Sequence, residues 1–315
     1  MGSPELEVLA CPSCLGPLAL DSSHTAPSGS SFLLCNREHL RFPIEGGVAR
    51  LVRPDRMDTV VAFDVSYSMA WTREGWGSSD PAYFLHLPYR DISRLHASEW
   101  GVKARSLEAL QTLLVRLRPR RIVDLGCGTG WLSYRLAQKG YEVYAIDVVM
   151  SELIGLRAAG VYIRAGVRFV LIQGELEFPP LADQSVDAVI CNASLHYAHN
   201  PQTAFEGIRR ILRPGGPFIV MNSPVHNDAL SARRSEAEFR KRLIGAGANQ
   251  SVAATYHHLT RIDLDQIARK AGFEGFQEEL FDPGLGFRLS RRAKSLLLRT
   301  ELASFPILFT RLARA

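Results

Sequence analysis

No stretch of the 315 residues approaches the roughly 18 consecutive apolar positions that a membrane span needs, which excludes a helical membrane protein. The opening MGSPELEVLACPSC does not place a basic stretch ahead of an apolar one, so a secretory leader is not expected and a reducing, cytoplasmic setting is. Cysteine is scarce and odd in number, five in all, which suits free thiols or metal ligation better than a disulfide framework. One-sided charge is missing too: 37 Lys and Arg stand against 32 Asp and Glu, a net +5 that permits an acidic partner such as nucleic acid without requiring one. There is no internal repeat or sizeable low-complexity tract. What remains is the composition of a soluble globular chain, long enough for one large domain and a smaller module.

The chain divides by texture. Residues 1–53 hold two cysteine pairs around the Ser/Gly-rich DSSHTAPSGSS and end in a strand-like RFPIEGGVARLV, as expected of a small module. Residues 54–104 are rich in aromatics and broken by Gly and Pro, too apolar for a solvated linker, and read as a collar or lid. From 105 to 315 strand and helix signals alternate: RIVDLG, YEVYAID, RFVLIQG, VDAVICN and PFIVMNS as strands, WLSYRLAQKG and SELIGLRAAG as helices. Asn200 and Pro201 open a helix on which Ala204, Ile208, Ile211 and Leu212 share one face. Thr260 and Asp263 offer a capping box, residues 224–259 are an insertion with a charged helix, and GFQEELF and FPILFTRLA complete seven strands. The expected fold class is α/β: a seven-stranded, mainly parallel Rossmann-like sheet with helices on both faces, plus the N-terminal module, with ligands at the carboxyl ends of the strands.

The run Asp124-Leu125-Gly126-Cys127-Gly128-Thr129-Gly130 follows a buried strand and enters a helix at once, which exposes backbone N–H groups to a ligand. Its spacing is G-x-G-x-G, with Trp131 where a dinucleotide fingerprint places its last glycine. VDLGCGTG resembles motif I of the class I S-adenosylmethionine-dependent methyltransferases. The resemblance implies that the loop, with Asp124, Gly126, Cys127, Gly128 and Gly130, wraps a cofactor that lacks phosphate. Asp147, with Val148, ends the second strand, where a carboxylate can accept both ribose hydroxyls. QGELEFPPLADQSVDAVICN looks like the family's adenine-contacting segment: Gly174, Glu175 at the position of the acid that takes the adenine amino group, and Leu176 against the ring. Asn192, ending the fourth strand, matches a position near the methionine moiety.

Cys11, Cys14, Cys35 and His39 form a C-x2-C…C-x3-H pattern suited to a closed, structural zinc site, with a redox C-x-x-C or a set of unlinked thiols as the alternatives and His24 as a reserve ligand. The segment resembles Trm112-like zinc modules and the finger of rRNA guanine methyltransferases, which would imply RNA binding. For the chemistry, His196 after the fourth strand is the first candidate base, with Tyr197 beside it, then His257 and His258 in the insertion, then His226. There is no N/D-P-P-Y/F after the fourth strand, the signature of amino-group methylation on planar amines. Phe63, Tyr67, Trp71, Trp76, Tyr83 and Phe84 of the collar are expected to close over the ligands or simply to cover the sheet. Residues 286–315, with seven Lys or Arg against Glu301 alone, suit phosphate, a lipid surface or a solvated helix face. Together these imply a methyltransferase acting on O or N of a small-molecule acceptor. The alternatives are an RNA base methyltransferase guided by the module, and a non-catalytic scaffold that senses the cofactor.

Overall fold

The computed structural model describes residues 6–21, 31–298 and 301–313. Among the described residues there are thirteen strands, ten α-helices and three short 3-10 helices. The short strands β1 (Ala19–Asp21), β2 (Ser31–Cys35), β3 (Leu40–Glu45) and β4 (Val48–Arg50) come first. Then follow β5 (Arg121–Leu125), β6 (Glu142–Asp147), β7 (Val170–Gln173), β8 (Ala188–Asn192) and β9 (Pro217–Met221). β10 (Val225–His226) and β11 (Leu259–Thr260) form a separate parallel pair, and β12 (Gln277–Glu279) and β13 (Ile307–Arg311) close the chain.

The main sheet differs from the expected seven mainly parallel strands. It has eleven, in the order β1-β2-β3-β4-β7-β6-β5-β8-β9-β13-β12. The stretch from β4 to β9 is parallel throughout, and both flanks are antiparallel. Extra width comes from the N-terminal strands: β4 pairs with β7, so the cysteine-bearing segment continues the sheet. Val8, Leu9, Leu33 and Phe42 share one apolar cluster with Val123, Val189 and Phe218.

Strand side chains alternate between the faces, as the pleat requires. Val123, Leu125, Val189, Cys191, Phe218 and Val220 meet α6 (Pro201–Ile211) and α9 (Arg261–Lys270). Ile122, Ala188, Ile190, Ile219 and Met221 meet α3 (Ala97–Leu117), α4 (Trp131–Gln138) and α5 (Gly160–Arg164) on the other face. Local chemistry sets the helix starts: Asn200 accepts from Thr203 N–H with Pro201 at the first helical position, and Thr260 and Asp263 complete a reciprocal capping box. The segment read as one helix over SELIGLRAAG is a turn, a short 3-10 stretch from Leu156 and then α5.

The strands β7-β6-β5-β8-β9 run 3-2-1-4-5 in chain order, so the order reverses between β5 and β8, and their carboxyl ends frame a crevice there. Two elements cover it. From the collar, α1 (Met57–Arg73) and α2 (Pro81–His86) come across one side; from the insertion, α7 (Ala229–Gly245) and α8 (Gln250–Ala254) come across the other. They meet through Ala70, Trp71, Tyr197, Phe239, Leu243, Ala253 and Tyr256. The last helix, α10 (Leu285–Leu298), carries the basic residues Arg288, Arg292 and Lys294 exposed, and Leu285, Leu289, Leu296 and Leu297 exposed as well.

Candidate functional site

The glycine loop turns between β5 and α4 with Gly126, Gly128 and Gly130 all at positive φ (+77°, +54°, +76°). Gly126 and Gly128 need that freedom for different reasons. A Cβ on Gly126 would lie 2.3 Å from Ser194 Cβ, so the protein itself fills that space. At Gly128 it would meet only Ile154 O at 3.8 Å, and Gly128 lines a cavity. The space beside Gly128 opens to that cavity. β6 holds the loop in place: Gly126 and Cys127 N–H both donate to Ile146 O.

Asp147, at the end of β6, stands at the centre. Its Oδ2 accepts from Gly128 N–H at 2.7 Å and its Oδ1 from Val149 N–H at 2.8 Å. Burial raises the carboxyl to about 6 despite those bonds, and nearby Asp64 adds to the rise.

Two cavities share a wall made of Gly126, Asp147, Val149, Tyr67 and Tyr197. The first is lined by Val148, Gly174, Glu175, Leu176 and, from the collar, Arg56, Val60 and Phe63. Glu175 is buried, and the Arg56 guanidinium lies 2.9–3.0 Å from its Oε1. That ion pair ties the collar to the end of β7, and nothing in the sequence announced it. The second cavity, of about 530 Å³, holds Cys127, Gly128, Asn192, His196 and all four tryptophans of the chain, Trp71, Trp76, Trp100 and Trp131. Asn192 Oδ1 accepts from Asn222 Nδ2, which also reaches Ser106 on α3. Of the collar aromatics, Tyr67, Trp71, Trp76 and Tyr83 line this chamber, whereas Phe84 is buried in the core beneath it.

Several expected site residues lie elsewhere. Asp124 and Gly130 line neither cavity. Asp124 is fully buried inside β5, where its Oδ2 accepts from the backbone N–H and hydroxyl of Ser133 and so anchors α4 behind the loop. His196 lines the chamber with Nδ1 3.1 Å from Ser223 Oγ, but burial, aided by His258, Lys103 and His257, lowers its pKa to about 3, too low for an efficient base at neutral pH. His257 sits behind it, donating its backbone N–H to His196 O and lining a small pocket with Leu195 and Ser223. His258 faces the chamber instead, its Nε2 2.9 Å from Tyr256 Oη and its Nδ1 2.7 Å from His226 Nε2.

The metal ligands are brought together in part. Cys11, Cys14 and Cys35 place their sulfurs within 4.8 Å of one another, with Cys14 and Cys35 3.5 Å apart. His39 is exposed and outside this group, at φ +53° on the turn after β2. His24 falls outside the described residues.

Residues 123–220 match the family described as Methyltransferase domain. That segment is similar to methyltransferase domains. The chain is 39% identical over 132 residues to an uncharacterized methyltransferase of Mycobacterium tuberculosis, covering 42% of this chain and 51% of that protein. It is 28% identical over 188 residues to a ubiquinone biosynthesis O-methyltransferase of Bordetella avium, covering 59% and 74%. The chain thus spans about half the length of the first of the curated relatives it matches. Among solved structures, phosphoethanolamine N-methyltransferase 2 of Haemonchus contortus, in complex with S-adenosyl-L-methionine, is 16% identical with a TM-score of 0.46, over 66% of this chain and 52% of that one. Among the described residues no helix is long and apolar enough to cross a membrane.

Proposed function

We propose that the chain is an S-adenosylmethionine-dependent methyltransferase that methylates an oxygen or nitrogen of a small-molecule acceptor. One observation carries the reading: a continuous cleft at the sheet's switch point, with a narrow lobe and a broad aromatic lobe meeting at Gly126 and Asp147. In this reading the narrow lobe takes adenine, with Leu176 and Val148 against the ring and Glu175 Oε2 toward the amino group, since Arg56 occupies Oε1. Asp147 takes the ribose hydroxyls, and Gly128 and Asn192 border the methionine end.

The cofactor, when bound, supplies an electrophilic methyl on sulfur that an acceptor lone pair displaces in line. The residues' task is then to align the acceptor and exclude water. Aromatic rings wall the chamber, with edge-to-face pairs Tyr67–Tyr197, Trp71–Trp76, Trp76–Trp100 and Trp100–Trp131 at centroid distances of 5.3–5.9 Å, and Tyr83 of α2 and Phe239 of α7 on the same wall. Tyr256 Oη, His258 and His226 form a hydrogen-bonded chain beside the chamber, but burial lowers His258 to about 4, so like His196 it is a weak base at neutral pH. An oxygen acceptor is in keeping with the Bordetella relative's name. The RNA alternative finds no comparable support, because the chamber is roofed by the collar and the insertion. Incubation with S-adenosylmethionine and small molecules from cell extract should yield S-adenosylhomocysteine and a methylated product. Binding without any turnover would favour the cofactor-sensing scaffold.

The raised Asp147 carboxyl gives a pH dependence of definite sign. A carboxyl raised in the folded state favours folding below its ordinary value near 4 and loses that contribution as pH passes 6. Ribose binding needs the ionised form, so S-adenosylhomocysteine affinity should be flat above pH 6 and fall about tenfold per unit below it. Calorimetry across pH 4.5–8 checks this, and a pH-independent affinity would separate Asp147 from the ribose.

The three convergent cysteine sulfurs fit a tetrahedral ion of thiolate preference, and we assign them to a structural zinc whose fourth ligand is His39, carried round on its turn. Purified protein should hold about one zinc per chain. Cys14→Ser should lose the metal and lower the melting temperature, which metal analysis and thermal unfolding will show.

A further inference from the structure

Three cationic side chains line the two lobes: Arg56, Lys103 and Arg242. Two of them are neutralised. Arg56 is paired with Glu175, and Arg242 makes a two-pronged contact with Glu74 at 2.6–2.7 Å. The Lys103 ammonium has neither an ion pair nor a hydrogen bond among the described residues. Its Nζ lies 4.3 Å from the centroid of Trp100 and 4.8 Å from that of Trp76, wedged between indole faces in the chamber that the glycine loop borders.

Glu99, one turn back on α3, also lines the chamber, but it is solvent-exposed and makes no salt bridge with Lys103, so its field is screened. The aromatic faces stabilise a cation by about 0.5–2 kcal/mol, well short of a charge partner's worth when solvent is excluded. Burial accordingly lowers the ammonium to about 8, and Glu99 offsets this only in part, which leaves it charged at neutral pH. The other charged or titratable groups on the chamber wall are His96, stacked on Trp76; Asp147, bound to the loop; His196 and His258, held neutral by burial; Cys127, Tyr67, Tyr83, Tyr197 and Tyr256, whose burial keeps them protonated; and Arg242, paired with Glu74.

We infer that Lys103 is the seat of a carboxylate bound in the aromatic chamber, received between the Trp76 and Trp100 indoles. The inference rests on the methyltransferase reading of the cleft and deepens it. Two bound molecules can bring that group: the cofactor, on its amino-acid tail, and an acidic acceptor, and the test separates them. Because every tryptophan of the chain lines the chamber, intrinsic fluorescence reports what enters it.

The full-length protein, Lys103→Met and Lys103→Arg are titrated with S-adenosylhomocysteine against 5′-methylthioadenosine, which lacks the tail, and separately with benzoate against benzamide, its neutral counterpart. Methionine keeps the apolar stem between the indoles, so packing is retained. If the cofactor's carboxylate is received, Lys103→Met should weaken S-adenosylhomocysteine about tenfold or more and leave methylthioadenosine unchanged. If the acceptor's is, benzoate should lose affinity by a similar factor while benzamide does not. In either case Lys103→Arg should recover most of the loss. The inference is overturned if neither carboxylate ligand depends on Lys103, or if each neutral counterpart weakens equally, which would mark a packing role. A wild-type protein that binds benzoate through Lys103 but no adenosyl ligand would sink the methyltransferase reading and leave this one standing.

Discussion

Replacing Asp147 by alanine is expected to weaken S-adenosylhomocysteine binding by about 1.5–3 kcal/mol, roughly 10- to 150-fold, without unfolding the protein. Two contributions point the same way. The carboxylate already accepts from Gly128 and Val149 N–H, yet its two oxygens offer about four lone-pair directions, so ribose hydroxyls can be added without displacing the loop. Removing the side chain would delete the proposed charge-assisted bonds to the sugar, and it frees the loop held through Gly128 N–H. Asp147→Asn should fall between the two, because it keeps the shape, loses the charge and turns one acceptor into a donor. Calorimetry measures both. An alanine variant with unchanged affinity would remove Asp147 from the site.

Gly126→Ala should be the more damaging change. The residue sits at φ +77°, where an L side chain costs about 1–2 kcal/mol, and the new methyl would lie 2.3 Å from Ser194 Cβ and 2.8 Å from its Oγ. Ser194 cannot easily yield, since its hydroxyl donates to Leu125 O at 2.6 Å. Overpacking of this kind costs a further 1–3 kcal/mol or so, for a combined loss of about 2–5 kcal/mol in unfolding free energy. Adding Ser194→Gly should restore the clash component and leave the backbone cost. Gly128→Ala is the informative contrast: its methyl meets nothing closer than 3.8 Å, so stability should fall only by the left-handed penalty while ligand affinity falls with it. Chemical denaturation of the three variants resolves these components, and equal destabilisation by Gly126→Ala and Gly128→Ala would contradict the assignment of space around the loop.

Features set by neighbouring residues were legible in the sequence. The cap at Asn200, the Thr260–Asp263 box and the strand-to-helix glycine turn each depend on contacts a few positions apart. Pairings over long separations were not. A three-residue strand such as β4 carries no mark of the partner it finds in β7, and the antiparallel insertion of β13 between β9 and β12 is equally silent. The same limit governs the site. Asp147 and Asn192 end strands and so reach the cleft. Asp124 lies within its strand, and its carboxyl turns to α4. The Arg56–Glu175 pair joins residues 119 apart. Lys103 did leave a trace, since Trp100 lies one helical turn before it on the same face, but Trp76 comes from a separate element.

The most direct test of an adenosyl thioether spanning the two lobes is a crystal structure with S-adenosylhomocysteine. The predicted result is both ribose hydroxyls within hydrogen-bonding distance of Asp147, adenine between Leu176 and Val148, and sulfur facing the tryptophan-lined chamber beyond Gly128. Ligand lodged elsewhere, or a cleft that takes NADH in preference, would contradict it.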